Sequence, residues 1–133
     1  MGKKGKMEKS SPKSTLIRGK GYYFGTTIGN RFWRRYKDNN FFTRGDGEIW
    51  LTKPVLYFRR YFTMNPIEIP TKAIFKITMG HGHAGKLSMA PTVKVHWIKD
   101  GETIVSGFLI SKDINELIRW QKKLQKVTKA KFL

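Results

Sequence analysis

Short runs of alternating apolar and polar residues, separated by turn signals, constrain the fold more than any other feature of this sequence. The dipeptides Asp46-Gly47 and Asp100-Gly101 are typical of tight β-hairpins, because type I′ turns need two residues at positive φ. Pro54 and the dipeptide Asn65-Pro66 mark further breaks between strands. The pattern predicts strands over residues 40–44, 48–52, 55–62, 67–69, 73–79, 93–98 and 103–110.

After these strands the apolar period changes from two residues to that of a helix. The recurring apolar positions are Ile114, Leu117, Ile118, Trp120, Leu124 and Val127. Asp113 followed by Glu116 is typical of a helix N-cap with its acidic partner three residues later. The sequence therefore predicts an α+β, mostly β domain. Its strands form a strongly bent sheet or partly open barrel, and one C-terminal amphipathic helix caps it.

Composition sets the limits of the domain. The chain has 133 residues, of which 39% are hydrophobic, enough for one core. We expect a disordered basic tail over residues 1–20, a domain over 21–128 and a basic tail over 129–133. The aromatic and basic segment 22–36 gives no single structural prediction.

The chain has no cysteine, which excludes disulfides and thiolate chemistry. It has no apolar run of the ~18–20 residues that a spanning helix needs, and no apolar segment of a secretory signal. These features predict a cytoplasmic protein.

Lysine and arginine together number 27 against 9 acidic residues, which gives a net charge of +18. Such a charge attracts polyanions, and the candidates are nucleic acid and the anionic face of a membrane. The remaining alternatives are that the charge serves solubility or that it attracts acidic partner proteins. Oligomeric state is not predicted by the sequence.

Four segments carry a resemblance to a known family. They are GEIWLTKPVLYFRRYF (47–62), IEIPTKAIFKITMG (67–80), VKVHWIKDGETIVSGFLIS (93–111) and DINELIRWQKKL (113–124). Together they resemble the pleckstrin-homology-like (PH-like) superfamily, in its GRAM and prokaryotic variants, over residues 40–127. The resemblance implies a seven-stranded, bent, partly open barrel capped by a helix, with Trp120 facing the barrel mouth.

The chain is also similar to a prokaryotic family of uncharacterised proteins that have a glycine-rich segment like 80–86 and an aromatic segment like 22–36. Members of the superfamily bind phosphoinositides, other lipids or proteins. Phosphoinositide-binding members use a basic first hairpin loop, which the resemblance places here at Thr52, Lys53 and Pro54. Arg59 and Arg60 are adjacent, so a regular strand points them to opposite faces and away from a shared pocket with Lys53.

The sequence contains no convincing catalytic centre. Residues 80–86 spell the glycines and lysine of a P-loop, but Leu87 replaces the hydroxyl residue and Pro91 disfavours the helix that should follow. We expect residues 80–91 to form a loop between strands, with Lys86 as a candidate ligand contact.

His81 and His83 supply at most two metal ligands, and His96 lies in a predicted strand, so we expect no metal and no cofactor. There is no serine elbow, and Asp46, Glu48, Asp100 and Glu102 lie in or beside predicted hairpin turns. We therefore expect no enzyme activity.

The leading hypothesis is a non-enzymatic module that docks on an anionic surface, namely the inner leaflet of a membrane. The candidate contacts are Lys53, Arg59, Arg60, Arg34, Arg35 and Lys86, with Trp33 as an interfacial anchor. Nucleic-acid binding through the same charges and rings is one alternative. A protein-interaction scaffold is the other.

Overall fold

The computed structural model describes residues 14–28, 44–83 and 86–133, with only the backbone described for 86–89. The strands are β1 (Thr15–Ile28), β2 (Gly45–Thr52), β3 (Val55–Arg60), β4 (Ile67–Pro70), β5 (Ile74–His83), β6 (Lys86–Lys99), β7 (Glu102–Leu109) and β8 (Lys131–Phe132). A 3-10 turn (Thr71–Ala73) precedes β5, and helix α1 (Ile114–Val127) follows β7. The mostly β, α+β class predicted from the sequence is confirmed.

The strands form one open sheet in the order β4-β3-β2-β1-β7-β6-β5-β8. All neighbours are antiparallel except β5 and β8. The long strand β1 pairs with β2 through its first half and with β7 through its second half. The change of partner coincides with a bulge at Gly25, whose φ of 117° favours glycine. The bulge explains why Tyr23 and Thr26, three residues apart, lie on the same face.

The sheet curves round a single apolar core. Buried side chains from β1 to β7 and from α1 belong to one cluster. In a flat sheet β4 and β5 would lie six strand spacings, or about 29 Å, apart. Helix α1 has 14 residues and is therefore about 21 Å long, too short to cover a flat sheet of that width. The face that holds the core must therefore be concave.

Helix α1 follows the sequence prediction closely. Asp113 is its N-cap, and its Oδ1 accepts a hydrogen bond of 3.0 Å from Asn115 N. Glu116 bonds Arg119 at 2.9 Å, and the Asp113 N–H donates instead to Ser111 Oγ. The helix buries Leu117 and Leu124 on either side of Trp120, which is only 1% exposed and lies against Gly19 of β1.

Five sequence predictions are corrected. Residues 15–20 belong to β1 and not to a tail, and the predicted C-terminal tail contains β8. Asp46-Gly47 lies inside β2 and is not a hairpin turn, whereas Asp100-Gly101 is the predicted turn, with φ values of 50° and 79°. Within the described residues the sheet has eight strands and not seven. Residues 80–83 and 86–91 continue β5 and β6 and are not a loop.

Candidate functional site

The described basic residues of the predicted site lie at opposite ends of β3. Lys53 is exposed in the turn that joins β2 to β3. In the order of the described strands this turn follows the connection from β1 to β2, so it is not the first hairpin loop. Arg59 and Arg60 end β3 six and seven residues later, roughly 20 Å away along the strand. The three residues therefore do not form one pocket. Trp33, Arg34 and Arg35 lie outside the described residues, as does the side chain of Lys86.

The two arginines differ in their surroundings. Arg59 Nη2 lies 3.0 Å from Glu48 Oε1, and the same carboxylate lies 3.7 Å from Arg18 Nη1. Arg60 points to the other face of β3, where its Cδ is 2.5 Å from the position that a Cβ on Gly45 would occupy. Glu48 therefore offsets the charge of Arg59, and Arg60 has no such partner among the ion pairs of the described residues.

The turn after β3 presents two exposed apolar side chains. Phe62 is fully exposed, and Met64 is 86% exposed. Phe62 has a φ of 65°, a left-handed conformation that costs a non-glycine residue roughly 1–2 kcal/mol. Hydrogen bonds on either side hold the turn, from Tyr61 N to Asp46 O at 3.0 Å and from Thr63 Oγ1 to Arg60 O at 2.6 Å. The backbone thus fixes a large apolar ring in a position where it contacts solvent.

Cations lie on the strand that leads into this turn. Arg59 and Arg60 precede it, and Arg59 Nη1 donates to Thr63 O at 3.3 Å. A shallow depression beside the turn is lined by Lys20, Tyr22, Asp46, Tyr61, Lys112 and their neighbours. We call residues 59–64 the apolar turn.

The aromatic side chains that precede the apolar turn in β3 are buried. Tyr57 and Phe58 are 4% and 2% exposed. Tyr57 stacks on Trp50 with 5.0 Å between ring centroids. The guanidinium carbon of Arg18 lies over the Trp50 ring, 5.3 Å from its centroid. These aromatic side chains stabilise the sheet, and Phe62 is the one fully exposed aromatic side chain of the described residues.

Helix α1 has a basic surface beside an apolar one. Its solvent side carries Arg119, Lys122, Lys123 and Lys126. Ile114 and Ile118, on the other edge, are 64% and 41% exposed and line a groove between α1 and the end of the sheet. The groove has a volume of about 230 Å³.

His83 and His96 have structural surroundings, whereas His81 is exposed. His83 is buried, and its Nε2 lies 2.8 Å from Val105 O, to which it donates. His96 is also buried, with Nε2 2.9 Å from Thr78 Oγ1. Burial, and then the charges of Lys76 and Lys94, lower the pKa of His96 to about 4. No group of three metal-ligating side chains occurs among residues 14–28, 44–83 and 86–133.

A buried row of polar groups crosses the core, and sequence reasoning did not identify it. Trp97 Nε1 donates to Ser106 Oγ at 3.0 Å, Ser106 Oγ lies 2.7 Å from Thr26 Oγ1, and Thr26 Oγ1 lies 2.5 Å from Tyr23 Oη. All four residues are at most 2% exposed. We assign this row a structural role, since it satisfies polar groups inside the core.

Phe62 and Met64 were also absent from the sequence-based site. The strand prediction extended to residue 62, and alternation would have placed Phe62 beside Phe58 on the inner face. The positive φ that ends β3 has no local signal in the sequence. The exposure of Ile114 and Ile118 could be predicted from the sequence. A helical projection centred on Leu117, Trp120 and Leu124 places both isoleucines off the buried face.

No helix within the described part of the chain is long and apolar enough to cross a membrane. Comparison of the chain with models of known protein families and with curated proteins gave no match.

Proposed function

We propose that this protein is a non-enzymatic binding module that docks on anionic membrane surfaces. The observation that carries the proposal is the apolar turn, where Phe62 and Met64 are exposed directly after Arg59 and Arg60. Strained backbone that holds a side chain in an unfavourable environment is typical of functional sites. A membrane interface is an environment in which an exposed ring beside guanidinium groups becomes favourable.

The energies agree with weak, reversible docking. Burying a Phe or Met side chain contributes about 1.5–3 kcal/mol, and each basic residue near an anionic leaflet contributes about 1 kcal/mol. Neither contribution alone gives stable attachment, because membrane anchoring usually needs two signals. The apolar turn supplies one signal, and the basic surface of the turn and of α1 supplies the other.

Burial of the aromatic residues favours membrane over nucleic acid. Proteins that bind single strands stack successive bases on several exposed rings along a basic groove. In the described part of the chain Trp50, Tyr57 and Phe58 are buried, Phe75 is 39% exposed on β5, and Phe62 at its turn is the one fully exposed ring. An isolated exposed ring suits insertion into an interface better than a stacking platform.

We also propose that the fold is a PH-like barrel. Three features support this: the meander order of β1 to β7, the pairing of β1 with both β2 and β7, and the packing of Trp120 inside the curved sheet. The parallel strand β8 departs from the seven strands that the resemblance implies. Lipid recognition in this chain would use the β3–β4 turn in place of the first hairpin loop.

Vesicle co-sedimentation tests the function. We expect the full chain to sediment with vesicles that contain anionic lipid and to remain in solution with neutral vesicles at low salt. The double variant Phe62→Ser/Met64→Ser should weaken binding to anionic vesicles at least tenfold, because it removes the inserted apolar surface. Its Tm should not fall, since both side chains are exposed.

Ile98→Ser is the matched control, because Ile98 is 52% exposed on β6 and lies outside the apolar turn. It should bind vesicles as the wild type does. Equal sedimentation with neutral and anionic vesicles would overturn the proposal, and so would unchanged binding of the double variant. Tight binding of single-stranded DNA that the double variant retains, with affinity falling steeply with salt, would favour the nucleic-acid alternative instead.

A further inference from the structure

Three lysines and a histidine lie together on three neighbouring strands at one end of the sheet. Lys131 of β8 is paired with Lys76 of β5, and Lys76 is paired in turn with His96 of β6. Neighbouring strands are about 4.7–4.9 Å apart, so these three residues form one row across the sheet. Lys94 comes two residues before His96 on β6 and therefore points to the same face.

This face is the one turned away from the core. Ile77 and Val95 belong to the core cluster, and Phe132 packs against it. Successive side chains of a strand point to opposite faces, so the lysines and the histidine next to these three residues point outward. We call the outward side of β5, β6 and β8 the lysine face.

Within the described residues no acidic side chain balances the lysine face. Lys94 lies opposite Gly107 of β7, which has no side chain to offer. No ion pair among the described residues includes Lys76, Lys94 or Lys131. Like charges directly opposite each other destabilise a sheet, so the pairing of Lys76 with Lys131 has a cost that a bound anion would remove.

The lysine side chains lie close to the sheet. Lys76 and Lys94 are half-buried, and Lys131 is exposed. Gly80 leaves space for Lys94, because a Cβ on Gly80 would lie 2.9 Å from Lys94 Cε and 3.2 Å from its Nζ. Burial, and then the charges of Lys76 and Lys94, lower the pKa of His96, which shows that both cations act on the same part of the face.

An aromatic ring is exposed beside these cations. A bulge from Ile74 to Lys76 makes Phe75 an extra residue of β5, and bulges commonly redirect a side chain. The Phe75 side chain is 39% exposed. Its ring lies edge-on to the His96 ring with 6.2 Å between centroids, so it is on the lysine face and not in the core.

The cations and the ring together determine which ligand fits. Three ammonium groups without a counter-charge fit a polyvalent anion, and phosphate groups are anions that lysine commonly binds as a point charge. The exposed ring adds a contact for a planar group, because every base has a face that stacks on an aromatic side chain. One ring has room for one base, so a single nucleotide fits this face better than a strand of nucleic acid.

We propose that the lysine face binds a free nucleoside diphosphate. The base lies against Phe75. The two phosphate groups lie at Lys76, Lys94 and Lys131. The assignment is of binding alone, without a chemical step, and it goes beyond membrane docking because the ligand is a soluble molecule and the apolar turn takes no part.

Calorimetric titration of the full chain at ~0.15 M salt, without divalent metal, tests the site. ADP should bind with saturation at one molecule per chain. Pyrophosphate keeps the two phosphates and lacks the base, so it should bind at least about fivefold more weakly. Adenosine keeps the base and lacks the phosphates, so it should bind at least about tenfold more weakly.

The lysines are tested by the variant Lys76→Gln/Lys131→Gln. It should lower the affinity for ADP at least about tenfold, because it removes two of the three cations. Its Tm should not fall, because the like-charge pair is gone. Lys122→Gln/Lys126→Gln is the matched control, since it removes the same charge from exposed positions on α1, and it should change the affinity less than about twofold.

The ring is tested by Phe75→Leu, which keeps an apolar side chain and removes the stacking surface. It should lower the affinity for ADP at least about threefold and leave the affinity for pyrophosphate unchanged. Amide NMR should show ADP-induced shifts over residues 75–78 and 94–96.

Four results would each overturn the proposal. They are unchanged ADP binding by the variant of the lysine face, an equal loss of affinity in the α1 control, equal effects of Phe75→Leu on ADP and pyrophosphate, and shifts confined to other residues. Pyrophosphate affinity equal to that of ADP would overturn the assignment of the ligand as a nucleotide.

The two proposals fail separately. The variant Phe62→Ser/Met64→Ser should bind ADP as the wild type does, because the apolar turn follows β3 and is not part of the lysine face. Saturable ADP binding by a chain that sediments equally with neutral and anionic vesicles would support the nucleotide site and overturn membrane docking. Sedimentation with anionic vesicles alone, without saturable ADP binding, would support membrane docking and overturn the nucleotide site.

Discussion

The indole of Trp120 is the most buried polar side chain of α1, and its Nε1 has no hydrogen-bond partner among the described residues. A buried donor without a partner costs about 1–3 kcal/mol. The indole lies against Gly19, and a Cβ built on that residue would be 3.7 Å from Nε1 and 3.8 Å from Cζ2. Space for a small side chain therefore exists beside the unpaired N–H.

Gly19→Ser should stabilise the protein. Its Cβ would make ordinary van der Waals contact with the indole, and its hydroxyl would accept the hydrogen bond from Trp120 Nε1. We expect a gain of about 1 kcal/mol, or an increase in Tm of roughly 4 °C, measured by thermal unfolding. Replacing glycine in a strand also reduces the entropy of the unfolded chain.

Gly21→Ser is the matched control two residues along β1. A Cβ there would lie 2.6 Å from Leu109 O, so this substitution should lower Tm. In a Trp120→Phe background Gly19→Ser should stabilise less, because the N–H is gone. Equal stabilisation in both backgrounds would contradict a hydrogen bond to the indole.

Gly47 lies in a strand although its dipeptide has the composition of a turn. Asp46-Gly47 has the composition of a hairpin turn, yet it lies in β2 opposite Arg60 of β3. A Cβ on Gly47 would be 2.2 Å from Arg59 O, so glycine is needed here for the close approach of two strands. Asp100-Gly101 has the same composition and does form a turn. The difference depends on a neighbouring strand, which the dipeptide does not encode.

At the scale of elements, α1 and the strands over 74–79 and 93–98 were predictable, and the strand conformation of residues 80–83 and 86–91 was not. The helix depends on its own apolar period and on the N-cap Asp113, which directly precedes Ile114, and both signals are local. The glycines and histidines of residues 80–83 have a loop-like composition, but tertiary contacts hold them in a strand. Gly82 N donates to Thr92 Oγ1 at 2.8 Å, and His83 Nε2 bonds Val105 O.

Gly107 of β7 makes this arrangement of the hairpin feasible. A Cβ on Gly107 would lie 2.6 Å from His83 Cβ and 2.7 Å from His83 Cγ. Gly107→Ala should therefore separate the end of β5 from β7 and destabilise the protein by about 1–3 kcal/mol, measured by denaturant unfolding.

His83→Gly should relieve the contact. In that background Gly107→Ala should cost less than about 0.5 kcal/mol, although His83→Gly alone loses the hydrogen bond to Val105 O. Additive costs in the double-mutant cycle would contradict direct packing of His83 on Gly107.

At the scale of the whole molecule, the sequence predicted a bent, mostly β sheet with one helix. It did not predict which strands pair with one another in that sheet. Alternation identifies strands but not their neighbours, so the contact of β1 with β7, more than 70 residues apart, has no local signal. The same limit applies to the candidate site. Charge predicted an anionic partner, but the exposure of Phe62 and Ile118 depends on backbone geometry and helix packing.

The net charge of +18 has two consequences that should respond to salt in opposite directions. Like charges repel one another across the folded molecule, and the described ion pairs, such as Arg119 with Glu116, offset few of them. Raising ionic strength from ~0.01 M to ~0.15 M shortens the Debye length from about 30 Å to about 8 Å. Screening should therefore stabilise the fold and, over the same range, weaken its attraction to anionic vesicles.

We expect Tm to rise by several degrees between these salt concentrations, which for a domain of this size corresponds to roughly 1 kcal/mol. Co-sedimentation with anionic vesicles should decrease over the same range. The variant Lys122→Gln/Lys126→Gln, which removes two exposed charges from α1, should show a smaller response in both measurements. Sodium acetate should reproduce the effect of sodium chloride if screening, and not binding of chloride, is the cause. A Tm that stays constant or falls as salt is added would contradict self-repulsion as a limit on the stability of this fold.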